Sequence, residues 1–181
     1  SPDEVAPFLE AREFEGINVT IPYKEKVIPC LDSVSDAARK IGAVNTVTKR
    51  DGKLYGDNTD FYGMREMILG ANIDVRGKKV LILGTGGTSK TARAVLSDLG
   101  AREIVTVSRR SGEGTVTYET ALGIHRDADI IVNTTPVGMY PNTDAVPVDV
   151  RAFPNLTGVV DAIYSPLRTR LILDAEAEGI P

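Results

Sequence analysis

A single cysteine, a single histidine and no long apolar run set the first bounds on this sequence. With only Cys30, no internal disulfide can form, which fits a reducing cytoplasm; the ordinary reading of that thiol is a small buried hydrophobe. His125 sits among Arg126, Asp127 and Asp129 in what reads as a connecting segment. A His-based triad or a multi-His metal site would rest on that one residue, so no metal is expected and a surface role is assigned to it. No stretch approaches the ~18 apolar residues of a membrane span, and no signal peptide is visible. Lysine and arginine number 21 against 25 acidic residues, and no basic stripe stands out, which argues against nucleic acid. Internal repeats and low-complexity tracts are also missing. The chain starts at Ser1-Pro2 and stops at Gly179-Ile180-Pro181, and it reads as a fragment. What remains is 181 residues, 42% hydrophobic and 25% charged: one large or two small globular domains.

Two halves differ in texture. Residues 16–21 alternate apolar Ile17, Val19 and Ile21 with Asn18 and Thr20, which predicts a strand ending at Pro22. A helix is expected near 35–41, with Ser35 as its cap and Gly42 as its stop. A hairpin follows around Asp51-Gly52, with Lys49 opposite Leu54 and Asn45 opposite Asn58. A short helix over 60–69 and a linker at 72–74 close this half. Strands are then expected at 78–84, 103–108, 128–135 and 157–164, with a helix over 88–99. A last helix is read from Ser165-Pro166 to Glu178, serine capping and proline opening it. This alternation predicts a doubly wound parallel sheet for 75–165.

The turn LILGTGGTSKTA joins the first apolar strand to its helix. Two phosphate-binding patterns compete for it, and Ser89 breaks each of them. A dinucleotide fingerprint finds Gly84, Gly86 and Gly87 but lacks its third glycine; a P-loop finds Gly84, Lys90 and Thr91 but lacks the glycine before the lysine. Asp161 in VVDAIY could imitate the Mg²⁺-binding aspartate of the second pattern. The glycine doublet, with slim Ala92 one helical turn on, favours the first. Where NAD binders carry an acidic residue, the chain reads Ser108-Arg109-Arg110-Ser111. Two guanidinium groups there suit a 2′-phosphate, hence NADP(H).

In the first half, Asn18 and Thr20 share one strand face, and the hairpin brings Asn45 near Asp60. Lys24 follows a proline bend. Short amides, hydroxyls and a carboxylate suit a polyhydroxylated or carboxylated small molecule. The bland alternatives are Asn45 as a turn amide, Asp60 as a helix cap and Lys24 as a solvated charge.

Taken in order, NVTIPYK (18–24), GAVNT (42–46), GDNTD (56–60), LGTGGTSKTA (83–92), NTTPVGM (133–139) and DAIYSPLRTRL (161–171) resemble the shikimate dehydrogenases over nearly the whole chain. The resemblance implies an α/β fold: a partial N-terminal substrate-binding and catalytic domain over 1–72, a Rossmann-like NADP-binding domain over 73–165, and a C-terminal helix, 166–181, returning toward the substrate domain. It implies Lys24 and Asp60 as the catalytic pair, with Asn18, Thr20, Asn45, Asp60 and Tyr164 touching the substrate. Gly84, Gly86, Gly87, Thr88, Ser108, Arg109 and Arg110 are then cofactor residues, with Asn133, Thr134, Gly138 and Met139 lying toward the nicotinamide. The reaction implied is reversible reduction of 3-dehydroshikimate to shikimate in the cytoplasm, by a monomer or homodimer.

Three departures from the family pattern stand out. The family's serine pair and C-terminal glutamine have no counterpart here, and Ser108 stands where asparagine is usual. A quinate/shikimate dehydrogenase, and an NADP-binding fragment without turnover, are the alternative readings.

Overall fold

The computed structural model describes residues 4–20 and 22–181, so Ile21 of the first expected strand lies outside the described residues. The chain separates into two compact units, which divide between Gly63 and Met64. That division falls inside a helix, whereas the sequence suggests one at the 72–74 linker.

The first unit carries helix α1 (Val5–Ala11), strands β1 (Gly16–Asn18), β2 (Ser33–Val34), β3 (Thr46–Arg50) and β4 (Lys53–Asp57), and helix α2 (Asp36–Ile41). Its four-stranded sheet has the order β1-β3-β4-β2. The hairpin register is the expected one, with Lys49 against Leu54 and Thr46 against Asp57. Asp51 and Gly52 both adopt positive φ at the turn, as a tight two-residue loop demands. Ser35 caps α2 by accepting from Ala38 N, and Gly42 ends it in the left-handed region. Beneath the sheet, Leu9, Val19, Val27, Ala38, Val44, Val47 and Leu54 form one buried cluster. Helix α1 and strand β2 escape a pattern reading because each is too short to show a period.

Helix α3 (Thr59–Gly70) crosses the division. The second unit then alternates β5 (Lys79–Leu83), α4 (Gly87–Asp98), β6 (Glu103–Ser108), β7 (Thr115–Thr117), α5 (Tyr118–Ile124), β8 (Ile130–Asn133), β9 (Gly158–Asp161) and α6 (Arg170–Ala177). The five strands are all parallel, in the order β7-β6-β5-β8-β9. Every residue of β5, β8 and β9 is buried, as expected of parallel strands covered on both faces. Lys79 and Asp161 are the charged members of these strands, and Lys79 Nζ is held 2.8 Å from Asp127 and 3.5 Å from Glu103. The chain runs out from β5 to β7, then returns to β8 on the other side. The switch point therefore lies between the C-terminal ends of β5 and β8, where open α/β sheets bind ligands.

Two expectations are corrected here. The last helix begins at Arg170, not Ser165, because Thr169 supplies the cap: its Oγ1 accepts from Ile172 N and donates to Asp161 Oδ2. That helix packs on β9, with Leu171 and Ala175 in the core of the second unit. Strand β7 and helix α5 were not expected at all, since three edge residues and seven helical ones carry little pattern.

Candidate active site

In the first unit Lys24, Asn45 and Asp60 gather around the start of α3. Lys24 stands at the end of a turn tied on both sides: Tyr23 N donates to Thr20 O at 2.8 Å, and Val44 N donates to Lys24 O at 2.8 Å. Tyr23 packs against the buried cluster, so the backbone is anchored while the next side chain is free to extend. Lys24 Nζ meets Asp60 Oδ2 at 2.9 Å. With side chains 30% and 51% exposed, this pair contributes less than ~1 kcal/mol of stability. Its consequence is orientation: one ammonium and one carboxylate held together within reach of solvent.

Asp60 is in the first turn of α3, where the helix dipole favours negative charge. The turn is capped across the hairpin, since Asn45 Oδ1 accepts from Thr59 N at 2.9 Å. Asn45 Nδ2 donates to Thr59 Oγ1 at 3.1 Å, and Thr46 Oγ1 donates to Asn45 Oδ1 at 3.0 Å. Asn45 is thus first a clamp on the helix that carries Asp60. Behind it, Asn58 is buried and donates to Ala43 O, and Asp57 accepts from Ser35 Oγ and Asn58 N. Asn18 and Thr20 are exposed, but strand β1 ends at Asn18, short of the expected 16–21, so Thr20 lies beyond it. Both border a cavity of about 390 Å³ whose other walls are mostly apolar residues of α1, β1 and the turn; Lys24, Asn45 and Asp60 do not line it.

In the second unit a cavity of about 520 Å³ opens at the switch point. Gly84, Gly86, Ser108, Arg109 and Thr134 line it, five of the residues expected to hold the cofactor, together with Thr85, Tyr118, Thr135, Pro136, Val137, Val146 and Pro147. Gly84 has φ +107°, and a Cβ on it would stand 2.8 Å from Thr134 Oγ1. That hydroxyl cannot retreat, because it donates to Leu83 O at 2.6 Å. Gly84→Ala is therefore expected to cost ~2 kcal/mol or more in denaturant unfolding and to weaken cofactor binding. Wild-type stability in that variant would refute the close approach.

The turn between β5 and α4 is only residues 84–86, and Lys90 is already inside the helix. That is too short to wrap a triphosphate, so the turn is not a P-loop. Gly86 caps α4 with no side-chain hydrogen bond, and a Cβ on Gly86 or Gly87 would meet nothing within 4 Å. No side chain stands over the first turn of this twelve-residue helix at Gly86 and Gly87, and a helix N-terminus favours an anion such as a pyrophosphate.

Arg109 and Arg110 make no salt bridge among the described residues. Only Arg109 of the two lines the cavity, beside Tyr118. Burial pushes the Tyr118 phenol up from its ordinary pKa, and the Arg109 guanidinium offsets part of that. These features fit a phosphorylated dinucleotide.

The remaining expected residues behave differently. Gly87 and Thr88 open α4, and Met139 is partly exposed. Gly138, at φ +98°, leaves room for Ala145 O. Asn133 is fully buried and does not line the cavity, and its side-chain amide is hydrogen-bonded to Val137 O, Asp161 and Thr135. Tyr164, in the second unit, is 83% exposed on the loop after β9. Tyr118 and Thr135–Val137 were missed by the sequence reading. The former follows an unrecognised edge strand, and the latter carry no pattern beyond the NTTPVGM motif itself.

Comparison with known proteins agrees with this architecture. A sequence model of the shikimate dehydrogenase substrate binding domain matches residues 2–47. The shikimate dehydrogenase (NADP(+)) of Clostridium perfringens (strain SM101 / Type A) is 38% identical over 188 residues, covering 98% of this chain and 69% of that protein. Among solved structures, shikimate 5-dehydrogenase from Thermus thermophilus, in complex with NADP(H) and shikimate, aligns with TM-score 0.80 and 33% identity over 99% of this chain and 69% of its own. Quinate dehydrogenase from Corynebacterium glutamicum, in complex with NAD, aligns with TM-score 0.82 and 28% identity over 97% of this chain and 69% of its own.

Proposed function

The chain belongs to the shikimate dehydrogenase family, and on that premise we propose that it interconverts shikimate and 3-dehydroshikimate with NADP(H), Lys24 and Asp60 handling the proton at the reacting oxygen. The observation that carries the assignment of roles is the 2.9 Å contact between Lys24 Nζ and Asp60 Oδ2. Bound NADP(H) supplies or takes up the hydride. In the direction of reduction, the Lys24 ammonium donates a hydrogen bond to the substrate carbonyl oxygen. It stabilises the negative charge that develops there and then delivers the proton. In the direction of oxidation, the neutral Lys24 amine accepts the hydroxyl proton as the C–H bond breaks. Asp60 keeps the amine aimed through Oδ2 and leaves Oδ1 to accept from a substrate hydroxyl. Asn18 and Thr20 contribute further polar contacts, Asn45 holds Asp60 in register, and Tyr164 covers the substrate.

On the cofactor side, Gly84, Gly86, Gly87 and Thr88 hold the pyrophosphate, while Ser108, Arg109 and Arg110 hold the adenosine 2′-phosphate. Thr134, Gly138 and Met139 follow the cofactor toward its nicotinamide. The free thiol Cys30 supports a cytoplasmic setting.

The test is NADP⁺ reduction, followed by absorbance, with shikimate, then quinate, then NAD⁺ in place of NADP⁺. Turnover of shikimate with NADP⁺ well above the other combinations is expected. A preference for quinate and NAD⁺ would move the chain to the alternative dehydrogenase. Tight NADPH binding with no turnover would make it a cofactor-binding fragment.

A further inference from the structure

Asp161, at the C-terminal end of β9, is a buried carboxylate for which the proton and hydride chemistry has no use; it is 8% exposed. Each of its oxygens is nonetheless engaged. Oδ1 accepts from Asn133 Nδ2 at 3.1 Å and from Ile163 N at 3.0 Å, and Oδ2 accepts from Thr169 Oγ1 at 2.7 Å. All three donors are neutral. With its oxygens committed to them, Asp161 is not presented to a metal ion in the way the apolar-then-aspartate motif suggests.

We propose that Asp161 is a positioning residue for the cofactor loop, acting by dictating which way the Asn133 amide points. This rests on the reading of the 520 Å³ cavity as the NADP(H) site. Residues 134–137 form one wall of that cavity and are folded around the Asn133 side chain. Asn133 Oδ1 accepts from Thr135 N at 3.0 Å and from Thr135 Oγ1 at 2.7 Å, while Nδ2 donates to Val137 O at 3.3 Å. Thr135 Oγ1 in turn accepts from Val137 N at 3.2 Å.

An amide can be turned over, and the turned amide would set oxygen against Val137 O and NH₂ against Thr135 N. A carboxylate can only accept, so Asp161 admits one orientation alone. The same carboxylate holds Thr169, against which Gly138 packs: a Cβ on Gly138 would stand 3.7 Å from Thr169 Cβ. Tyr140 N donates to Ser165 O at 3.0 Å, a second tie between the loops after β8 and β9. One buried acceptor thereby locks both loops into a single shape.

Replacing Asp161 by asparagine keeps the volume and removes the compulsion to accept. An amide at 161 can satisfy Asn133 Nδ2 and Ile163 N only by turning its own NH₂ toward Thr169 Oγ1, which then loses its acceptor. The experiment measures NADPH dissociation constants by nicotinamide fluorescence, below each variant's melting transition as read by circular dichroism. Asp161→Asn and Asn133→Ala are each expected to raise the constant about tenfold, equivalent to ~1.4 kcal/mol. The double variant is expected to be no worse than the weaker-binding single one, because the first residue acts through the second.

A purely structural Asp161 would lower the melting temperature and leave the dissociation constant at the wild-type value; that result, or effects that multiply in the double variant, overturns the proposal. Should Asp161→Asn not fold, Thr169→Val removes one donor and leaves the carboxylate. A threefold or larger rise then supports the role, and an unchanged constant overturns it. Arg109→Ala separates the two readings. If it weakens NADPH while Asp161→Asn does not, the positioning role alone fails. If neither variant changes NADPH binding, the cavity is not the cofactor site and both readings fail.

Discussion

Lys24→Ala is expected to lower the rate of hydride transfer by at least ~10²-fold while leaving NADPH affinity close to wild type, because a positioned acid–base group contributes typically ~10²–10⁴. The separation of effects follows from placement. Lys24 is in the first unit, bonded to Asp60, and every residue lining the proposed cofactor cavity belongs to the second. Stability should change little, since the pair is partly exposed and worth under ~1 kcal/mol. Single-turnover and steady-state rates, with a fluorescence titration of NADPH, check both halves. A wild-type rate in the variant would end the assignment of Lys24 as the proton carrier. A loss of NADPH affinity in proportion to rate would mean that the residue acts through binding instead. Asp60→Asn provides the companion measurement: it keeps the helix start and removes the charge that aims Nζ, so a smaller loss in the same direction is expected.

Arg109→Ala is expected to weaken NADPH by roughly 10- to 100-fold and to leave NADH binding unchanged, the range that charge-assisted hydrogen bonds of ~1.5–3 kcal/mol imply. Arg109 lines the cavity and has no carboxylate partner among the described residues, so its charge is available to an anion. Arg110→Ala should have the smaller effect, since that side chain does not line the cavity. The ratio of NADPH to NADH dissociation constants is the deciding quantity, because a distorted site weakens both cofactors while a lost phosphate contact weakens one. An unchanged ratio removes the 2′-phosphate role.

Much of this was legible in the chain because the determining contacts are close in sequence. The hairpin register follows from Asp51-Gly52 and from alternation on either side of it. Ser35 and Gly42 bound α2 through bonds to residues three and four positions away. The apolar run of β5 and the glycines after it declare a buried parallel strand and a tight turn. The Lys24–Asp60 contact spans 36 residues, and it was reached from family motifs, not from periodicity.

By itself the sequence determined the two textures, the hairpin, the glycine turn and the arginine pair where an acidic residue would select NAD. All of these are set by backbone preferences and local patterning. Only the tertiary structure decided that Asn45 caps the helix bearing Asp60, that Asn133 is buried with its amide bonded to the loop after β8, that Thr169 starts the last helix, and that Asp161 bonds to both Asn133 and Thr169. Those roles rest on side-chain hydrogen bonds across as many as 28 residues. Whether an amide meets a ligand or a neighbouring backbone group is settled by which strands lie side by side, and Asp161 reaches Asn133 because β9 pairs with β8 in that register.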